Sequence, residues 1–475
     1  MFFNSLHFAL FLPIVFILYW FVFNKSKNYQ NYLLITASYY FYSCWDWRFL
    51  FLLIFSTLLD YFSAIQIEKS TNNNKRKIWL WLCISINLGF LGVFKYYDFF
   101  ATSFAKLIQS FGVNANPFLL KLILPVGISF YTFHGLSYII DIYYKRIKSE
   151  KNFVDYSLFV SYFPLLVAGP IERATHLLPQ IKTERTFNYT QAKEGFSLIL
   201  FGLFKKIVIA DNCSFFVNNL FKNPQSHSFL ELWLGIIFFA FQIYGDFSGY
   251  SDIARGVSKL FGIELLHNFK FPYFSKDIAD FWRRWHISLS SWFRDYIYIP
   301  LGGSKGSKIL QIRNVMIIFL ISGFWHGANW TFIIWGLIHA LLFLPLLLRE
   351  KNRLNVSNSE YKLNDLPKII STFLIVCIAW VFFRADTLTE AFHYLKGMFN
   401  FNDFTVKFFL QNAKYILLTF ISILSILFLV LFEWNLAKNK LEEVVISKKI
   451  AFLLIAMLLF MGVFRNPAMF IYFQF

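Results

Sequence analysis

Ser322-Gly323-Phe324-Trp325-His326-Gly327-Ala328-Asn329-Trp330 sets a histidine between two long apolar runs and is the sharpest chemical signal in the chain. An imidazole at membrane depth is costly enough to be a functional hypothesis by default. Its ordinary pKa near 6.5 lets the neutral ring accept a proton close to physiological pH. Gly323 and Gly327 leave room for a substrate or another backbone, and Asn329 could fix the imidazole tautomer or hold a carbonyl oxygen. The plainer alternative is a histidine that only caps a helix. His286 lies in Asp280-Phe281-Trp282-Arg283-Arg284-Trp285-His286-Ile287-Ser288-Leu289-Ser290-Ser291-Trp292-Phe293-Arg294-Asp295-Tyr296. There Trp282, Trp285, Leu289 and Trp292 recur at i, i+3, i+7 and i+10, which predicts one amphipathic helix at the interface or shallowly re-entrant. On spacing alone His286 reads as an interfacial residue beside aromatic anchors. His134 and His339 fall inside apolar helices and read as bundle-interior groups. Asp60, Asp141, Asp246 and Asp252 are membrane-proximal acids that could bind a cation, orient a histidine, or pair with a base, Arg255 being nearest to Asp252. No metal-ligand spacing, phosphate-cradling glycine loop or GxSxG elbow occurs, so the chain shows no serine nucleophile of its own.

The elements that must position these groups follow from composition. Of 475 residues, 57% are apolar, 22% aromatic and only 15% charged, and mean hydropathy is +0.52. Soluble domains carry roughly a quarter charged residues, so several water-facing domains are excluded, as is disorder. The expectation is an all-α polytopic membrane protein. A span takes about 20 apolar residues, and runs at 6–23, 31–46, 48–66, 78–95, 118–143, 229–245, 313–326, 329–348, 367–383, 413–432 and 449–464 qualify. Two weaker ones lie at 153–169 and at 195–210, the latter carrying Lys205-Lys206, which makes 11–13 transmembrane or re-entrant helices. Gly245-Asp246-Phe247-Ser248-Gly249-Tyr250-Ser251-Asp252 reads as an interruption of its run, and 97–113 as an amphipathic interfacial helix. The formal charge of +18 sits mostly in short segments between runs. That distribution points to the lipid bilayer and not to nucleic acid. Basic loops at 24–30, 67–77, 144–152, 349–353 and 438–449 predict both termini outside the cytoplasm. Met1-Phe2-Phe3 and the run from Leu6 to Phe23 read as a retained helix without a cleavage site. The four cysteines suggest neither disulfides nor zinc, and no metal site is expected.

These segments carry a family resemblance. Phe281-Trp282-Arg283-Arg284-Trp285-His286-Ile287-Ser288-Leu289-Ser290, Arg294-Asp295-Tyr296-Ile297-Tyr298-Ile299-Pro300-Leu301-Gly302-Gly303 and Trp325-His326-Gly327-Ala328-Asn329-Trp330 resemble the membrane-bound O-acyltransferase family, more narrowly its bacterial alginate O-acetyltransferase branch. Leu124–Phe133, Val167–Arg173, Tyr244–Asp252 and the ending Phe470–Phe475 extend the likeness over nearly the whole chain. The resemblance implies a single domain over 1–475, with peripheral helices at 1–117, a catalytic core at 118–348 around a thin, funnel-like centre, and C-terminal helices at 349–475. It implies His326 as the catalytic residue and His286 as the second motif histidine, orienting a thioester or stabilising oxyanion charge. Position 134 departs from the family pattern, which often has glutamine there.

The implied reaction moves an acetyl or other acyl group from a cytoplasmic thioester, acetyl-CoA or an acyl carrier protein, to a hydroxyl. The acceptor would be an exported polysaccharide or a secreted SGNH-type acetyltransferase partner, and the site the cell (inner) membrane. No bound cofactor is required. Arg283, Arg284 and Arg294 could draw in the donor's phosphates, or anchor at headgroups, with Trp285, Trp325, Asn329 and Asp252 as further substrate-binding candidates. Competing expectations are D-alanyl transfer to teichoic acid, a non-catalytic assembly subunit, and a transporter of a polysaccharide intermediate. The absence of an internal repeat weighs against the last.

Overall fold

The computed structural model describes residues 1–167, 169–352, 361–439, 444, 446–464 and 468–471. Ala168, Arg353, part of the basic segment 438–449 and the motif residues Tyr472–Phe475 lie outside the described residues. The protein is an all-α polytopic membrane protein: the described residues hold helices and no strand. Among the described residues seven helices are long and apolar enough to cross a bilayer, fewer than the 11–13 transmembrane or re-entrant helices expected: Arg48–Lys69, Asn73–Ser110, Phe229–Leu260, Lys308–His326, Trp330–Leu348, Leu363–Arg384 and Ala413–Lys438. Leu6–Val22 is a shorter apolar helix.

The chain forms two compact units, Met1–Gly195 with Ala254–Leu266, and Phe196–Ile253 with His267–Phe475. In the first, the run at 118–143 gives a helix only over Ile128–Tyr143. Pro125 lacks a backbone donor, and Gly127 takes φ +74° where a side chain would collide with the Leu166 carbonyl, so the helix cannot start earlier. The run at 153–169 divides into Phe153–Ser161 and Phe163–Leu166, the second opening with Pro164 in its first turn. Tyr97–Ser110 is the expected amphipathic helix, continuous with Asn73–Leu91 through a π-helical turn at Gly92–Tyr96. Asp60 is buried among these helices, accepting from Asn87 Nδ2 at 2.8 Å and facing Cys83 Sγ at 3.0 Å. At the Ala174–Lys182 helix, Glu172 bonds His176 Nδ1 at 2.8 Å and raises that imidazole above its ordinary pKa.

Gly245–Asp252, in the second unit, does not interrupt anything: it lies within Phe229–Leu260, one helix of 32 residues whose part up to Ile253 belongs to that unit. Its glycines serve close approach. A Cβ on Gly249 would lie 2.7 Å from the Gly202 carbonyl oxygen, and one on Gly245 2.7 Å from that of Lys205. Spacing small residues four apart lets helix backbones touch in this way. The neighbouring segment runs Tyr189–Leu203, then a π-helical stretch Phe204–Ala210, then Asp211–Lys222. The same contact neutralises two buried lysines. Lys205 pairs with Asp252 at 2.5 Å, and Lys206 with Asp211 at 2.7 Å and Asp246 at 2.9 Å.

Candidate active site

His326 ends the helix Lys308–His326; Gly327 is extended, and Asn329 caps Trp330–Leu348 by accepting from the Thr331 amide. Three linking residues therefore fold the two helices into a hairpin. Its arms touch at glycines: a Cβ on Gly323 would collide with the Phe332 carbonyl, and one on Gly336 with that of Phe319. The crossing delivers Trp335 and its neighbours to the imidazole. His326 is 2% exposed. Its ring meets Trp325 at 4.9 Å, Trp335 at 5.0 Å and Phe383 at 5.1 Å between centroids, all near edge-to-face.

His286 reaches the same place because the expected amphipathic helix breaks there. Ile278–Arg284 and Ile287–Phe293 are separate short helices, and His286 between them takes the left-handed conformation, φ 46°, ψ 52°. The Ile287 amide donates to the Asn268 carbonyl at 2.9 Å, and Ser288 Oγ to Asn268 Oδ1 at 2.9 Å, so the loop before the motif holds the kink. Histidine enters this region more readily than bulky or branched residues do, yet the conformation still costs on the order of 1–3 kcal/mol. The kink corrects the expectation of one helix for this stretch: the tryptophan stripe is broken between two short helices, and His286 is only 1% exposed, packed inside the protein. Its ring packs on Phe247 at 4.6 Å and Trp325 at 5.8 Å and stands 6.5 Å from the ring of His326.

A cleft of about 230 Å³ is lined by residues of the same helices, though neither histidine is on its wall. Trp282, Phe293 and Phe319 give it an apolar wall, and Arg294, Tyr298 and Asn352 a polar one. Ser290 and Ser322 also line it, each one helical turn from His286 and His326 respectively. An amphiphilic cleft of this kind suits a ligand with an apolar arm and a polar or anionic head.

The structure sorts the remaining sequence candidates. Arg294 borders the cleft and pairs with Asp295 at 2.8 Å while staying exposed. Arg283 donates to the Asn352 carbonyl at 2.8 Å, and partial burial lowers its pKa against the opposing pull of Asp280. Arg284 pairs with Asp280 at 2.8 Å, its guanidinium over the Tyr361 ring. Trp285 is 1% exposed and packs on Trp380 at 5.1 Å, supporting the kink from the core. Trp325 sits against both histidines. Asn329 uses its amide oxygen on the Thr331 cap and its amide N–H on the Asp386 carbonyl at 2.7 Å, and so shapes the hairpin turn. Asp252 belongs to the Lys205 pair, in a polar cluster where Tyr244 donates to Glu433 at 2.7 Å.

One group is buried in the helix bundle as its sequence setting predicts, but its partner was not legible in the sequence. His339 is fully buried, accepts from Trp282 Nε1 at 3.2 Å and packs on Trp335 at 4.9 Å. Its position four residues after Trp335 on one helix face was the available signal. Among the described residues no three His, Cys, Asp or Glu converge as a metal site.

An all-helical membrane protein is the class that this architecture defines. The chain belongs to the membrane-bound O-acyltransferase family, whose pattern it matches over residues 143–385, and it is a membrane O-acyltransferase. It is 38% identical over 423 residues to a peptidoglycan O-acetyltransferase of Helicobacter pylori, covering 82% of this chain and 78% of that protein. It is 40% identical over 396 residues to a probable alginate O-acetylase of Pseudomonas aeruginosa, covering 82% and 73%. A more distant relative, 29% identical over 281 residues, is a teichoic acid D-alanyltransferase of Streptococcus thermophilus, covering 54% of this chain and 68% of that one.

Proposed function

We propose that this enzyme transfers an acetyl group from a thioester donor, acetyl-CoA or an acyl carrier, to a hydroxyl of an exported cell-surface polysaccharide or of a secreted SGNH-type partner. It would lie in the cytoplasmic (inner) membrane with both termini outward and its basic loops inward. The observation that carries the site is the pair of buried imidazoles 6.5 Å apart, with a cleft wall one helical turn from each. The two acetyl-transferring relatives favour acetyl over other acyl groups. D-alanyl transfer is the second reading, supported by a relative that matches only 54% of the chain.

In this mechanism the His326 imidazole takes the proton of the acceptor hydroxyl as its oxygen attacks the thioester carbonyl. His286 stabilises charge developing on the carbonyl oxygen, or holds the thioester in line. Collapse breaks the carbon–sulfur bond, and the imidazolium returns the proton to the leaving thiolate. Excluding water from this aromatic surround protects the thioester from hydrolysis. Arg294 at the polar wall attracts the donor's phosphate.

The test uses purified enzyme in vesicles with radiolabelled acetyl thioester and an oligosaccharide acceptor, with the secreted partner supplied where required. His326→Ala should lose about 10²–10⁴-fold in transfer rate while still being expressed and inserted in the membrane. Full transfer by that variant would remove the proposed base.

A further inference from the structure

His339 has no part in the steps above, yet it is the joint between the cleft and the aromatic surround of His326. It sits in Trp330–Leu348, fully buried, between the near-parallel rings of Phe281 at 6.2 Å and Phe319 at 6.4 Å. Its Nδ1 accepts the indole N–H of Trp282 at 3.2 Å. Trp282 lines the cleft, and its ring rests on Trp335 at 5.6 Å, which in turn meets His326 at 5.0 Å. An indole donor in an apolar site costs free energy unless it finds an acceptor. The acceptor here restricts the ring more than packing alone would. Because Nδ1 accepts, the neutral ring carries its proton on Nε2.

We propose that His339 is a positioning residue: its Nδ1 fixes the Trp282 indole as the wall against which the donor's apolar arm lies. This rests on the reading of the cleft as the donor site. No proton reaches substrate through His339, so its loss should weaken donor recognition and leave chemistry largely intact.

The test separates this role from bulk packing, because Asn places an amide oxygen where His has Nδ1, whereas Leu fills the space without an acceptor. In steady-state transfer assays His339→Leu and Trp282→Phe should each raise the donor KM by about tenfold, the scale of one lost hydrogen bond. Their kcat should stay within about threefold and the acceptor KM unmoved; His339→Asn should behave like the unmodified enzyme. The double variant should be no worse than Trp282→Phe alone, since both remove one interaction. Should His339→Leu not fold, His339→Gln, whose amide reaches beyond the δ1 position, takes its place. Independently of turnover, the ¹⁵N indole resonance that disappears in Trp282→Phe should shift in His339→Leu and hold in His339→Asn. Equal defects in Asn and Leu variants, a fall in kcat with donor KM unchanged, or an unmoved indole resonance would each overturn the proposal. If the indole resonance behaves as stated while donor KM ignores every variant, the donor-site reading fails and the hydrogen bond stands.

Discussion

At the scale of single residues, the two motif histidines differ in how much backbone they constrain. His326 takes a helix end that many residues could occupy; His286 takes a left-handed kink that few do. Substitution there changes two things at once, ring chemistry and backbone fit, and a pair of variants separates them. His286→Ala removes the ring and keeps the strain, which for a residue with a Cβ is about 1–2 kcal/mol. His286→Gly removes both. The expected result is that both variants lose at least about a hundredfold in transfer, while the glycine variant melts no lower than the alanine one. A glycine variant with normal turnover would make His286 a purely structural residue. The sequence motif located His326 correctly between two helices, because apolar runs on both sides are a local signal. It misjudged His286 because helical periodicity assumes an unbroken backbone, and the partners holding the kink, Asn268 and Phe247, lie on other segments. His339 was read as a bundle-interior group and is one, but its hydrogen bond stayed illegible for a similar reason: its partner Trp282 is 57 positions away.

Among elements, the hairpin Lys308–His326 with Trp330–Leu348 sets the geometry of the site, and its registration depends on two glycines. The sequence reading gave Gly323 room for a substrate or another backbone; the structure fills that room with backbone, the Phe332 carbonyl. Gly336 was not singled out, since its counterpart Phe319 lies on the other arm and no local pattern joins them. Adding a methyl group at either position forces the arms apart, and because the obstacle is main chain, no side-chain rotation relieves it. Gly336→Ala should therefore destabilise by about 1–3 kcal/mol, the usual cost of overpacking, and shift Trp335 away from His326. Thermal unfolding in detergent reads the first effect and the transfer rate the second. A variant with unchanged melting and unchanged rate would show that the arms can part here without cost and that the two glycines do not set the crossing. The glycines at 245 and 249 carry the same lesson. Their motif looked like a break because it is polar, but a helix tolerates carboxylates wherever bases face them, and Lys205 and Lys206 do so.

For the whole molecule, the type of element was readable from hydropathy because a bilayer demands long apolar helices and little else can satisfy it, whereas their number was not, since several apolar runs are shortened or divided. Internal charge was harder to read. Lys205-Lys206 made its run look like a poor span; in the fold both lysines are almost wholly buried, 3% and 1% exposed. Lys206 gathers Asp211, Asp246 and the Ala468 carbonyl, the last at 2.9 Å, while Asp246 also accepts from the Ile471 amide at 2.7 Å. One ammonium thus faces two carboxylates and a carbonyl from three parts of the second unit. Removing the cation alone leaves two acids buried side by side, whereas removing all three charges leaves a neutral cluster. Breaking a buried pair costs about 3–5 kcal/mol, and replacing it wholesale is often nearly neutral. Lys206→Met should accordingly lower the melting temperature sharply and reduce the amount of folded enzyme in the membrane. Adding Asp211→Asn and Asp246→Asn to it should recover most of that loss, since asparagine can still accept from the Ile471 amide. If the triple variant melts as low as Lys206→Met, the network contributes through its specific geometry and not through charge balance, and neutralisation is the wrong account of these lysines.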